Sequence, residues 1–121
     1  PSALQPVPYL AVYSASKACL HQFSLALYGE LQNKNIHVQT LLPGPTATEF
    51  DVKACAYACS LGQKRNSPML VVKTSLSQLE KKTPMVTTNK GNYKQRLFAG
   101  IAPIKMVVNE VKKMFAPPLG R

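Results

Sequence analysis

Apolar and polar residues along this chain alternate in helix-like and strand-like stretches, separated by clusters of proline, glycine and asparagine. Residues 1 to 10 hold prolines at 1, 6 and 8 and are predicted to form an extended loop, because proline has no amide donor and restricts its predecessor. From Ala11 to Lys34 there is no proline, and leucines and alanines recur at helical spacing. Tyr13, Lys17, Leu20, Ser24, Leu27 and Leu31 share one face of that helix, and Ala15, Ala18, Cys19, Gln22, Ala26 and Gly29 share the opposite one. Apart from Lys17, neither face is charged until Glu30 and Lys34, so the helix is expected to be covered on both sides. One cover should be a sheet, and the small residues should let a second helix approach closely.

Ile36 to Leu42 reads as a buried strand, entered after Asn33-Lys34-Asn35 and ended by Pro43-Gly44. Residues 49 to 66 have weak periodicity and read as a flexible loop with some helix. Ser67-Pro68 offers an N-cap followed by proline at the first helical position, which predicts a helix from Pro68 to Lys82. A short strand should span Pro84 to Thr88, and two helices, Asn92 to Ala99 and Pro103 to Phe115, should be broken by Gly100 and Pro103. The last of these carries Ile104, Val107, Val108, Val111, Met114 and Phe115 on one stripe and Lys105, Asn109, Lys112 and Lys113 elsewhere. It is expected to pack on its own domain, with contact to a membrane surface or an acyl chain as the alternative. A helix followed by a parallel strand predicts an α/β fold with a doubly wound sheet, in which ligands bind outside the carboxyl ends of strands. Residues 43 to 48 then fall in the ligand crevice.

The length of 121 residues and 45% apolar content suit one domain with a core. A net charge of +10 would point to nucleic acid or a membrane surface if the cations clustered. They are instead spread over Lys64-Arg65, Lys81-Lys82, Lys90 to Arg96 and Lys112-Lys113, with no aromatic-interleaved basic face. No nucleic-acid partner is expected, and a solvated surface is favoured over membrane binding. The three cysteines at 19, 55 and 59 lack zinc-ligand spacing and read as reduced thiols, so no metal is expected. There is no signal peptide and no apolar run of about 18 residues. A cytoplasmic or other reducing intracellular compartment is the expectation, with membrane attachment through upstream sequence left open.

The candidate chemistry lies in Tyr13-Ser14-Ala15-Ser16-Lys17. An unperturbed tyrosine has a pKa of about 10, so acid/base work near neutrality needs a charge that stabilises its phenolate. Lys17, four residues on along a helix, shares a face with Tyr13 and is placed to supply it. His21 and His37 have no carboxylate at matching spacing and read as packing or surface residues.

The Tyr13 to Lys17 motif, the apolar helix after it, the strand Ile36 to Leu42 and Pro43-Gly44-Pro45-Thr46-Ala47-Thr48 together resemble the short-chain dehydrogenase/reductase family, most clearly over residues 2 to 50. The downstream helix and strand are similar, more loosely, to a subgroup that reduces keto groups, including fatty-acyl and steroid-like ones. The resemblance implies an NAD(P)-dependent oxidoreductase in which Tyr13 is the catalytic acid/base, while Lys17 stabilises its phenolate and bonds the nicotinamide ribose. It also implies that Pro43 and Gly44 turn over the nicotinamide and that Thr46 and Thr48 face the carboxamide. Position 46 is usually valine or isoleucine in the family, so Thr46 keeps the branched shape and adds a hydroxyl. NADP is the expected cofactor, with NAD as the alternative, and the substrate is expected to be a hydrophobic ketone or acyl compound.

The family's glycine-rich phosphate turn is missing, since the six glycines at 29, 44, 62, 91, 100 and 120 are isolated. Its substrate-orienting serine would fall just ahead of Pro1, and Ser2 is not in register. The chain is therefore expected to be a partial NAD(P)-binding Rossmann-like domain, the C-terminal portion of the fold. Within it, 49 to 82 should cover substrate and 92 to 115 should form a C-terminal helical segment. A homodimer or tetramer through the helix from Tyr13 to Lys34 is implied by the family. The rival expectation is a truncated, inactive product that acts as a dimerisation or binding module.

Overall fold

The helix that begins after the proline-rich segment, α1, runs from Ala11 to Leu31 and tightens into a 3-10 turn at Gln32–Lys34 in the computed structural model, which describes residues 2–49, 65–89 and 91–116. Asn35 reverses the chain at φ 58°, a left-handed conformation that asparagine tolerates better than most residues. Strand β1, Thr40–Leu42, follows. Helix α2, Pro68–Leu79, leads to β2, Met85–Thr87, and α3, Gly91–Ile101, and α4, Ile104–Phe115, complete the described chain.

The two strands are parallel, with Thr40, Leu41 and Leu42 opposite Met85, Val86 and Thr87, and α2 belongs to the crossover between them. The fold is therefore α/β, a partial Rossmann-like arrangement, as the sequence pattern predicts. The first strand is shorter than the expected Ile36 to Leu42, because β2 offers partners for three residues only. Helix α3 also departs from expectation. It continues through Gly100, whose position has open space around it, and stops only before Pro103.

Burial on α1 follows neither predicted face. Ser14 and His21 are buried between the two faces, with Ala18, Leu25 and Tyr28 half-buried beside them and Ser24, Leu27 and Leu31 of the first face half-buried too, while Val12 is 86% and Phe23 59% exposed. The small-residue face at Ala15, Cys19, Gln22, Ala26 and Gly29 is exposed, so among the described residues α1 is covered on one side rather than two. The sheet accounts for part of that cover.

Val107 and Val111 of α4 are buried against Val7, with Leu10, Ala102 and Phe115 packed around them. Part of the stripe predicted on the last helix, Val107, Val111 and Phe115, thus seats on the loop that enters α1, while Ile104 and Met114 of that stripe are exposed. Full burial of such side chains contributes about 1.5–3 kcal/mol each, which makes this cluster the anchor of the first turn of α1. Among the described residues no helix is long and apolar enough to cross a membrane. The expected substrate-covering stretch falls, at 50 to 64, outside the described residues, as do Cys55 and Cys59.

Candidate active site

Tyr13 and Lys17 lie in the first two turns of α1, which starts without a side-chain cap and has no acidic residue in its first turn. Tyr9, at φ 69°, turns the chain into the helix, and the Leu10 amide closes that turn on the Val7 carbonyl at 3.1 Å. An aromatic residue rarely adopts this conformation, and the buried Val7 cluster beside it holds it in place. The Lys17 Nζ stands 5.5 Å from the centre of the Tyr13 ring, within cation–π range. Both side chains are exposed, Tyr13 by 37%. Ser14 and Ser16 donate back to the carbonyls of Ala11 (3.0 Å) and Tyr13 (2.8 Å), so their hydroxyls serve the helix.

The loop after β1 is fastened from two sides. Asn66 bridges it in strand fashion, donating its amide to the Pro45 carbonyl (2.7 Å) and accepting from the Ala47 amide (2.9 Å). Thr88 Oγ1 accepts from the Gly44 amide (3.2 Å) and from Asn66 Nδ2 (2.9 Å). Within the loop, the Thr46 hydroxyl donates to the Gly44 carbonyl at 2.9 Å. A Cβ at Gly44 would lie 3.2 Å from both Asn66 Nδ2 and Asn89 Cβ, so a side chain there would push these neighbours back by a few tenths of an ångström.

Asn66, Thr88 and Asn89 are absent from the sequence-based site. They are ordinary turn formers beside a helix start and a strand end, and no spacing marks them as partners of Gly44. Ser67, read correctly as an N-cap, accepts from the Leu70 amide at 3.2 Å.

Helix α1 and the strands run antiparallel. At the far end of α1, the Tyr28 hydroxyl donates to the Lys82 carbonyl at 3.5 Å, and its ring meets His37 edge-on with centroids 6.2 Å apart. Lys82 and His37 precede β2 and β1. The amino end of α1, with Tyr13 and Lys17, therefore lies on the side of the sheet where residues 43 to 48 and Thr88 emerge. The structure joins Tyr13 to Lys17, and Gly44 to Thr46, and relates the two groups through topology; Thr48 is exposed at the loop's end.

An open, mainly apolar groove of about 590 Å³ lies between the entering loop, at Pro6 and Val7, and the Ser14, Ala15 and Ala18 side of α1. His21 is buried on the covered side of α1, and its Nδ1 has no hydrogen-bond partner. Burial first, and the Arg96 charge second, push its pKa below the ordinary histidine value. It stands apart from the loop and from Tyr13 along the helix.

A family model described as short chain dehydrogenase matches residues 1–56. Over 49 residues the chain is 53% identical to a hydroxysteroid dehydrogenase-like protein 1 of Gallus gallus, a stretch that is 40% of this chain and 15% of that protein. It is 48% identical over 49 residues to a very-long-chain 3-oxoacyl-CoA reductase of Rattus norvegicus, covering 40% of this chain and 16% of that one. It is 51% identical over 49 residues to an inactive hydroxysteroid dehydrogenase-like protein 1 of Homo sapiens, covering 40% and 15%. The chain thus matches only a small part of each relative's length. No solved structure matches it.

Proposed function

We propose that this chain, whose residues 1–56 belong to the short-chain dehydrogenase family, carries the acid/base helix and nicotinamide loop of an NAD(P)-dependent oxidoreductase acting on a carbonyl or alcohol. The observation that carries the reading is the Lys17 ammonium 5.5 Å from the Tyr13 ring on an exposed helix face, with no acidic residue in the first turn to offset it.

The residues present fit the nicotinamide and ribose end of such a cofactor. A phenol and an ammonium are offered from one exposed face, and Pro43, Pro45, Ala47 and Thr48 are exposed on the loop at the strand's carboxyl end. A phosphate cradle of glycines is not among the 121 residues. When bound, the reduced nicotinamide supplies a hydride. Tyr13 gives its phenolic proton to the substrate carbonyl oxygen, or accepts one from an alcohol in the reverse direction. Lys17 would stabilise the phenolate left behind and hold the ribose hydroxyls. Pro43, Gly44 and Thr48 would hold the nicotinamide end, and Thr46 steadies the loop through its bond to Gly44.

The names of the relatives support a hydrophobic substrate, a steroid-like ketone or a fatty-acyl compound. NADP is the proposed cofactor, with NAD as the alternative, on the resemblance of the downstream helix and strand alone. The exposed small residues of α1 support assembly of two or more copies through that helix. A second reading, a non-catalytic binding module, is favoured by the equally similar relative that is named inactive. One experiment separates them. In the intact protein, Tyr13→Phe should abolish NADPH-dependent ketone reduction and leave NADPH binding in place. Wild-type protein that binds NADPH but turns over no ketone or acyl thioester would favour the module, and an active Tyr13→Phe variant would overturn the assignment of the acid.

A further inference from the structure

We propose that Asn66 and Thr88 are positioning residues that hold the loop 43–48 in its binding shape, an inference that rests on reading this loop as the nicotinamide contact. Neither residue lies within the stretch, 1–56, that the family model matches. The segments beyond that stretch therefore set the shape of the family's own loop in this chain.

The bonding is a closed ring. Thr88 Oγ1 receives hydrogen bonds from Gly44 and from the Asn66 side chain, partners 44 and 22 residues away in sequence. A hydroxyl oxygen has two lone pairs, so these two bonds fill its capacity as an acceptor. Asn66 then fixes the loop a second time, with its own amide on Pro45 and its carbonyl on Ala47. Gly44, Thr46, Asn66 and Thr88 are all partly buried, where an unmade bond is costly. Each end of the clasp is tied to regular structure. Asn66 directly precedes the Ser67 cap of α2, and Thr88 directly follows β2. A surface loop ordinarily loses freedom when a ligand orders it, and one held in advance binds more tightly because that cost is already met.

Thr88→Val keeps the branched shape and removes the acceptor, leaving the Gly44 amide and Asn66 Nδ2 unpaired; Thr88→Ser keeps the acceptor. In the intact protein without cofactor, Thr88→Val should speed hydrogen exchange at the amides of Gly44 and Ala47 about tenfold, and it should weaken NADPH, followed by nicotinamide fluorescence, by about the same factor. Thr88→Ser should return both to within about twofold of wild type. Asn66→Ala, which removes only the side-chain arm, should raise exchange at Gly44 and Ala47 as well, and it serves if Thr88→Val fails to fold. Unchanged exchange, or faster exchange with unchanged NADPH affinity, overturns the positioning role. Wild-type protein that does not bind NADPH overturns the cofactor reading itself, and with it this role, a result distinct from a Thr88→Val variant that binds as well as wild type.

Discussion

The Lys17 ammonium sits 5.5 Å from the centre of the Tyr13 ring, one helical turn further along α1. This geometry puts a positive charge over the face of the tyrosine ring, and no acidic residue in the first turn competes for it. Lys17→Met keeps the length and apolar stem of the side chain while deleting the charge. If, as proposed, one ammonium serves both phenolate and ribose, the substitution in the intact protein should lower turnover by about a hundredfold or more and raise the cofactor KM. Steady-state rates across a cofactor titration check this. A loss in kcat alone would assign Lys17 to the phenolate only.

Burial of His21 makes stability depend on pH. Its pKa is lowered in the folded protein, mainly by burial and then by Arg96, so the unfolded chain binds the proton more readily. Stability should therefore be full above the unfolded value of about 6.5 and fall as pH drops below it, towards the lowered folded value. His21→Leu removes the titration and also the unpartnered Nδ1. Its thermal midpoint should fall less than that of wild type between pH 7 and pH 5 in a melting series, and equal slopes would refute the assignment.

Helix α1, the parallel β1–β2 pair and the Ser67 cap were legible in the sequence because each has a local cause: helical period without proline, an apolar run closed by Pro43-Gly44, and serine before proline. Tyr13 and Lys17 were legible for the same reason, being four residues apart on one helix. The clasp was not, since Thr88 reaches Gly44 across 44 residues and depends on β1 and β2 being parallel and in register. The buried stripe of α1 was misjudged for a related reason. Apolar periodicity ranks faces by composition, but which side of α1 is buried, at Ser14 and His21, is decided by what the chain brings against it in space.

Ser67 caps α2 directly after Asn66, the residue that holds the loop 43–48. Its hydroxyl accepts the Leu70 amide at 3.2 Å, and the neighbouring Asn66 holds Pro45 and Ala47. Ser67→Ala should cost about 1 kcal/mol in urea unfolding of the intact protein, the usual loss for a helix cap. Ser67→Asp should restore most of it, because a carboxylate caps equally well and favours the helix's positive end. Equal losses in both variants would show that the cap contributes nothing.

Val107 is the most deeply buried large side chain described, at 1% exposure, and it seats α4 on the loop entering α1. Val107→Ala removes two methyl groups and leaves a gap beside Val7 and Val111, so a loss of about 2 kcal/mol is expected in urea unfolding of the intact protein. Val107→Thr keeps the shape but buries a hydroxyl, and should cost a similar amount for a different reason. If α4 holds the entry to α1, the Val107→Ala variant should also show faster exchange at the Ser14 amide, which bonds the Leu10 carbonyl at 2.9 Å. Exchange unchanged at Ser14 would separate α4 from the positioning of Tyr13.

The 121-residue polypeptide produced by itself is expected to melt gradually and to bind no NADPH. Among the described residues the buried apolar side chains fall into separate groups, Val7, Val107 and Val111 in one cluster, Leu42 and Val86 in a two-stranded sheet, and Val71 on α2. A sheet of two short strands is marginal without further strands or a large apolar cover, and among the described residues nothing pairs with its outer edges. Meanwhile Val12, Leu20 and Phe23 of α1 and Met69, Val72 and Leu76 of α2 face solvent. That much exposed apolar surface favours association over a single cooperative transition. Calorimetry with and without NADPH decides the point: a single sharp transition that moves upward with cofactor would show that these residues fold and bind unaided, and would transfer the weight of stability from the missing cover to the Val107 cluster.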